Sequence, residues 1–292
     1  MRPGADVGKY TVAPRTHVRI FSMTSWMTGF HEANGVRIHY LRTGGGKPPL
    51  VLLHGLTGNG ASWTPLARAL ESEYDVVMPD ARGHGGSSTP LHGYRYEDHA
   101  GDVIELIRGL GLSGPIVLGH SMGGLTAAVV ATLAAGVVRG VVLADPTFLS
   151  PQRQREVCDS DVAEQHRRLL LKDRGEVLAD VRARHARRSD EMVDLIVSAR
   201  MQTRLCAFDV LIPPNPVYQE LVGSIDVPVL LVIADGGVVS LETARELQGL
   251  NSGLRVEVIP DAGHGLQYDQ PERFEAVVRD FLRSGIAAWP GV

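Results

Sequence analysis

Short apolar runs alternate with amphipathic helical patterns through most of this chain. Runs such as Pro49–Gly55 and Val138–Asp145 have the length and the Val and Leu content of buried strands. Such an alternation is typical of a mainly parallel sheet with helices packed on its faces. The 292 residues suffice for one large α/β domain that carries an insertion.

The alternation stops between residues 147 and 221. This segment has no apolar run of the strand type, and its charged, proline-punctuated sequence indicates helices. It is too long for a plain connection between strands. We interpret it as a helical lid over the carboxyl ends of the strands, where open α/β sheets bind ligands. Residues 30–146 and 222–292 then form the core, and residues 1–29 are predicted to be a loose N-terminal extension.

Composition narrows the range of partners and locations. A formal net charge of -4 argues against a broad nucleic-acid surface, and no apolar stretch has the length of a membrane span. The first 29 residues lack the apolar core of a secretory signal, and Cys158 and Cys206 show no CxxC or metal-ligand spacing. We therefore expect a cytoplasmic protein with a small-molecule substrate and no metal, and with a homodimer as one candidate assembly.

The sequence GHSMG, residues 119–123, separates a strand-like run from an apolar helical run. A serine at a tight turn between strand and helix, with glycine two positions away on either side, is the nucleophile-elbow pattern. The glycines are needed because the strained turn leaves no room for side chains. Ser121 is therefore the predicted nucleophile, and an ordinary turn serine is the alternative.

A serine hydroxyl becomes a good nucleophile only when a base removes its proton. His264 lies between the last predicted strand and the last predicted helix, so we predict that it is this base. Backbone N–H groups must stabilise the oxyanion that forms. The predicted donors are Met122, directly after the nucleophile, and Leu56, in the glycine-rich loop after the first buried strand; a plain glycine turn is the alternative for that loop.

Four features together resemble the α/β-hydrolase family, and they occur in that family's order. They are His54-Gly55, the DARGHGGS run of residues 80–87, the elbow, and Gly263-His264. The resemblance implies an eight-stranded, mostly parallel sheet flanked by helices, an inserted lid and no cofactor. It implies hydrolysis of an ester, lactone or amide-type bond. The alternatives are carbon–carbon bond hydrolysis or cofactor-free perhydrolysis in the same fold, and a ligand receptor with a vestigial site.

The acid that orients His264 has two candidates. In most family members it follows the strand after the lid, but VIADGGVVS places Gly236 or Gly237 there, with Asp235 one residue early. Asp145 follows the preceding strand, where some members carry the acid, and we favour it over Asp235. The runs VVLADPTFLS and VVS in part resemble 2-(acetamidomethylene)succinate hydrolases, and the early acid position is shared with zearalenone lactonases.

Substrate contacts are predicted at four positions. Trp63 follows the oxyanion loop and is expected either to line the acyl side or to be a core aromatic residue. Arg200 and Arg204, with Arg182, are candidates to bind a substrate carboxylate, because a guanidinium group makes two parallel hydrogen bonds with it. Exposure on a solvated helix face is the alternative for all three arginines.

Overall fold

The computed structural model describes residues 26–285, and within this range eight strands form one sheet in the order β1-β2-β4-β3-β5-β6-β7-β8. Strand β2 runs antiparallel to β1 and β4, and the other neighbouring strands are parallel. The predicted eight-stranded, mostly parallel sheet is confirmed. The strands are β1 Met27–Ala33, β2 Val36–Arg42, β3 Pro49–Leu53, β4 Asp75–Pro79, β5 Ile116–His120, β6 Gly140–Ala144, β7 Val229–Gly236 and β8 Leu254–Gly263.

Helices follow most of the parallel strands and cover both faces of the sheet. Those outside the insertion are α1 Thr64–Leu70, α2 Tyr96–Gly109, α3 Met122–Leu133, α9 Leu241–Leu250, α10 Leu266–Asp269 and α11 Pro271–Asp280. The insertion between β6 and β7 contains α4 Pro151–Cys158, α5 Val162–Leu169, α6 Arg174–Arg184, α7 Asp190–Gln202 and α8 Tyr218–Ser224. Short 3-10 segments occupy Gly60–Trp63 and Leu205–Leu211.

Both faces of the central strands are buried, which explains why β3, β4, β5 and β6 are continuous apolar runs. In β3, Val51 and Leu53 belong to the core on the side of α2, α3 and α9, whereas Leu50 and Leu52 belong to the core on the side of α1 and α11. This division follows from the two-residue repeat of a strand. The carboxyl ends of the parallel strands therefore meet at one rigid edge.

The structure differs from the sequence-based expectation at the first strand. Strand β1 begins at Met27, inside the predicted loose extension, and residues 1–25 of that extension lie outside the described residues. Met27 and Phe30 of β1 are exposed, so the sequence of this strand lacks the apolar pattern that indicates a buried strand. Because β1 pairs with β2, the edge of the sheet on this side is β1, and β2 lies one position further in.

The insertion has a small core of its own. Helices α6 and α7 pack through Val177, Val181, Val193 and Val197, all of which are buried. The last helix of the insertion, α8, ends at Ser224, three residues beyond the predicted limit of the lid. In the described part of the chain, no helix is long and apolar enough to cross a bilayer.

Buried histidines make the stability of this fold depend on pH. Burial lowers the pKa of His54 and His84, and it lowers the pKa of His99 and His120 to about 3. Between pH 6.5 and 3 the unfolded chain binds protons that the folded chain does not bind. The free energy of unfolding should therefore fall as the pH falls, by about 1.4 kcal/mol per pH unit each for His99 and His120, and His54 and His84 act in the same direction.

Urea unfolding at pH 7, 6, 5 and 4 would measure this dependence. His99→Phe should reduce the slope of the unfolding free energy against pH by the contribution of one histidine. Substitution of His92, which is exposed, by Phe serves as the matched control and should keep the wild-type slope. Equal slopes for His99→Phe and the wild type would contradict the expectation.

Candidate active site

Ser121 lies at the turn from β5 to α3 with φ 55° and ψ −119°, a strained backbone for a residue other than glycine. The neighbouring glycines make this turn possible. A Cβ atom on Gly119 would lie 2.0 Å from the carbonyl oxygen of Gly123, and one on Gly123 would lie 2.4 Å from the carbonyl oxygen of Leu53. The hydroxyl group is thereby placed at the carboxyl edge of the sheet and at the positive end of the α3 dipole.

His264 directly follows β8 and contacts the serine across this edge. Its Nε2 lies 2.8 Å from Ser121 Oγ, and its Nδ1 lies 2.6 Å from Asp145 Oδ2. A carboxylate only accepts hydrogen bonds, so Nδ1–H donates to Asp145 and Nε2 accepts from the Ser121 hydroxyl. The three side chains thus form a continuous series of hydrogen bonds from Ser121 through His264 to Asp145.

The Asp145 carboxylate is completely buried at the end of β6, with its backbone at φ 40°. The N–H of Val238 lies 3.0 and 2.9 Å from the two carboxylate oxygens, and the N–H of Val239 donates to Oδ1 at 3.0 Å. Backbone donors of this kind offset the cost of removing a carboxylate from water. The loop after β7 therefore holds the acid that follows β6.

Asp235, the alternative acid, makes no hydrogen bond with His264. Its exposed carboxylate accepts the N–H groups of Asp261 at 3.0 Å and Ala262 at 3.2 Å, and these bonds lower the pKa of Asp235. Asp235 thus joins the end of β7 to the end of β8. Of the two candidates, the structure places Asp145 against the imidazole.

Gly237 stands where the family pattern led us to expect an acid, and the structure gives a steric reason for the glycine. A Cβ atom at this position would lie 2.7 Å from Oδ1 of Asp145. The space that a side chain at 237 would need is already filled by the Asp145 carboxylate. The acid at position 145, after β6, therefore requires a residue without a side chain at position 237, after β7.

The loop after β3 lies directly beside the nucleophile. A Cβ atom on Gly55 would be 3.0 Å from Ser121 Cβ. His54 fixes the loop, since its Nδ1–H donates to the Gly55 carbonyl at 2.8 Å and its Nε2 accepts the N–H of Ala81 at 2.9 Å. This neutral imidazole connects the loops that follow β3 and β4.

Two backbone N–H groups are free for an oxyanion. Leu56 and Met122 both line the cavity beside Ser121, and neither N–H has an acceptor within residues 26–285. Met122 is the first residue of α3, where N–H groups have no partner inside the helix. The role of these two groups as oxyanion donors stays a prediction, and their position beside Ser121 is compatible with it.

His120 connects the elbow to the base, a contact that the sequence analysis missed. Its Nε2–H donates to the carbonyl oxygen of His264 at 2.7 Å, and the two ring centroids are 4.8 Å apart. Burial, with the nearby His264, lowers the pKa of His120 to about 3, so the ring is neutral near pH 7. The contact joins residues 144 positions apart, and no local pattern indicates it.

Two cavities meet at Ser121 and His264. The first, which we call the large chamber, has a volume of about 1100 Å³ and extends to the lid helices. The second, the small chamber, has a volume of about 260 Å³ and lies between the loop after β3 and α7. Apolar side chains on the lid side of the large chamber are Leu149, Val157, Val162, Leu169, Phe208, Val210 and Leu211.

The predicted arginines lie in different places. Arg200, in the last turn of α7, lines both chambers. Arg204 is exposed and lines neither chamber, and Arg182 pairs with Asp190 at the lid surface. Of the three, the structure therefore brings Arg200 alone to the cavities that contain the nucleophile.

Trp63 lies in the core rather than on the acyl side. Its ring stacks on Phe274 of α11 with 6.3 Å between centroids, and it is almost completely buried. The 3-10 segment that carries it packs on the α1 and α11 side of the sheet, so its side chain lines neither chamber. In residues 26–285, no cluster of three or more His, Cys, Asp or Glu side chains is arranged to hold a metal.

Comparison with known proteins agrees with this fold and geometry. A family model described as the alpha/beta hydrolase fold matches residues 48–271. The chain belongs to the α/β-hydrolase fold family, as the sequence features predicted, and it is an enzyme of the hydrolase class.

Individual relatives add detail. N-formylmaleamate deformylase of Pseudomonas putida is 30% identical over 267 residues, which is 89% of this chain and 98% of the relative. 2-(Acetamidomethylene)succinate hydrolase of Mesorhizobium japonicum is 35% identical over 120 residues, 41% of this chain and 42% of the relative. The crystal structure of E-2-(acetamidomethylene)succinate hydrolase matches with a TM-score of 0.76 and 22% identity, covering 89% of this chain and 100% of that one, which shows the shared fold.

The contact between Gly237 and the acid yields a prediction. Gly237→Ala should displace the Asp145 carboxylate and lower kcat/KM for an ester by about 10- to 100-fold, because small displacements of catalytic groups have effects of this size. Gly249→Ala is the matched control, since a Cβ atom there meets open space on α9. Ester hydrolysis at the wild-type rate by Gly237→Ala would show that the carboxylate does not need this space.

Proposed function

We propose that this protein is a serine hydrolase that cleaves a carboxylic ester, lactone or amide-type bond of a small molecule through an acyl-enzyme intermediate. The observation that carries the proposal is the continuous set of hydrogen bonds from Ser121 Oγ through the His264 imidazole to Asp145. A chamber volume of about 1100 Å³ suits a small-molecule substrate.

In the first step, Ser121 Oγ attacks the carbonyl carbon while its proton moves to Nε2 of His264. The electron pair of the carbonyl bond moves to oxygen, and the N–H groups of Leu56 and Met122 stabilise the oxyanion. Asp145 stabilises the imidazolium and keeps its ring in the reactive orientation.

The tetrahedral intermediate then collapses. The bond to the leaving group breaks, and His264 donates its proton to the leaving oxygen or nitrogen, which leaves an ester on Ser121. Water reaches the His264 imidazole because this side chain is 41% exposed. A water molecule attacks the carbonyl carbon of the acyl group while His264 removes a proton from that water. The second tetrahedral intermediate then collapses, which releases the carboxylic acid and restores the Ser121 hydroxyl.

The names of two relatives support this range of bonds. One is a deformylase of N-formylmaleamate, and the other is a hydrolase of an acetamido compound. The serine at position 121 supports an acyl-enzyme route, since a serine hydroxyl attacks a carbonyl once a base is within hydrogen-bond reach.

A chromogenic p-nitrophenyl ester assay tests the nucleophile. Ser121→Ala should reduce turnover to less than about one part in 10,000 of the wild type, because the remaining groups do not form the acyl-enzyme. Mass spectrometry of acid-quenched wild-type enzyme should detect the acyl group on the peptide that contains Ser121. Turnover that survives Ser121→Ala would remove this serine from the mechanism.

Paired substitutions test the acid. Asp145→Asn should lower kcat by about 10,000-fold, because the amide does not favour the reactive tautomer of His264. Asp235→Asn is the matched control and should retain most of the activity, since Asp235 contacts only backbone N–H groups of residues 261 and 262. The reverse order of effects would assign the role to Asp235.

A further inference from the structure

Arg200 carries a charge that the described residues do not compensate. Its side chain is partly shielded from solvent at the junction of the large and small chambers. Its guanidinium group makes no hydrogen bond and no ion pair in residues 26–285, and its backbone carbonyl accepts the N–H of Thr203. A charged group that is removed from water without a partner is unfavourable, so this arrangement calls for an anion from outside the chain.

The other cations around the chambers differ from Arg200. Most of them are neutralised by acidic partners within the protein, and Arg184, which lacks a partner in the described range, is exposed on α6 at the large chamber. The ion pairs are Arg188–Asp269, Lys172–Asp180, Arg168–Asp161 and Arg153–Glu156. Arg200 is therefore the cation at the nucleophile that is both shielded and without a partner.

The small chamber is suited to an anionic group. Its lining contains Arg188, Arg200 and His185 and no acidic side chain, and the charge of Arg188 is balanced by Asp269 behind it. Burial and the charges of Arg188 and Arg200 lower the pKa of His185, so its imidazole is neutral near pH 7 and available to donate a hydrogen bond. The chamber thus presents about one uncompensated positive charge.

We infer that Arg200 binds a carboxylate of the substrate, and that the small chamber holds the short arm that carries it. The substrate class is then a small acyl compound with a free carboxylate in addition to the scissile bond. The small chamber, at about 260 Å³, has about a quarter of the volume of the large chamber, at about 1100 Å³, so it takes the shorter part of the substrate. The large chamber, with its apolar wall, receives the rest of the molecule. This inference rests on the proposed function, because it places the carboxylate beside the Ser121 nucleophile.

Protection of the nucleophile tests the inference without knowledge of the natural substrate. A fluorophosphonate probe labels an activated serine. The rate of labelling is measured at increasing concentrations of butyrate, or of butyramide, which is a neutral compound of nearly the same shape. The ionic strength is held constant. Butyrate should slow the labelling of Ser121, and butyramide at the same concentrations should not. Arg200→Gln should raise the half-protecting butyrate concentration at least about tenfold, and Arg200→Lys by less.

Two further variants locate the effect. Arg184→Gln, at the large chamber, should keep the butyrate protection of the wild type. Arg167→Gln, on the outer surface of α5, should keep both the labelling rate and the protection. The inference would be overturned if butyrate still protected Arg200→Gln, or if butyrate and butyramide protected the wild type equally. It would also be overturned if Arg184→Gln lost the protection as fully as Arg200→Gln. Absence of labelling in the wild type would overturn the proposed function itself and the inference with it.

Discussion

The hydrogen bond between Asp145 and His264 is the interaction on which the site depends. A completely buried carboxylate is stable only with donors around it, and here they are the imidazole and the N–H groups of Val238 and Val239. The loop after β7 must therefore pass close to the end of β6, which is why Gly237 has no room for a side chain. The position of the acid and the path of the neighbouring loop determine each other.

Histidines serve two different purposes in this molecule, and burial separates them. His54 and His120 are buried, their pKa values are lowered, and their neutral rings join loops by hydrogen bonds to backbone groups. His264 has a 41% exposed side chain and contacts both the serine and the acid. The buried rings hold the loops in place, and the ring of His264 is the one that faces both the serine and the solvent.

The sheet and the lid contribute different parts of the site. The ends of the strands place Ser121, His264 and Asp145 within hydrogen-bond distance of one another at one edge of the sheet. The lid helices supply the apolar wall of the large chamber and, at the end of α7, the guanidinium group of Arg200. The hydrogen bonds among Ser121, His264 and Asp145 thus depend on the sheet, whereas the wall of the large chamber depends on the insertion.

Features that depend on local geometry could be predicted from the sequence. Alternating apolar runs predicted the sheet, and the glycines around Ser121 predicted a turn that only small neighbours permit. Long-range packing decided the rest. Asp145 and Asp235 both follow strands at one edge, and only the path of the loop after β7 directs the first to His264 and the second to the end of β8. Trp63 likewise lies in the core because the 3-10 segment that carries it covers the α1 and α11 side of the sheet. The residues that surround its side chain come from elements distant in the chain.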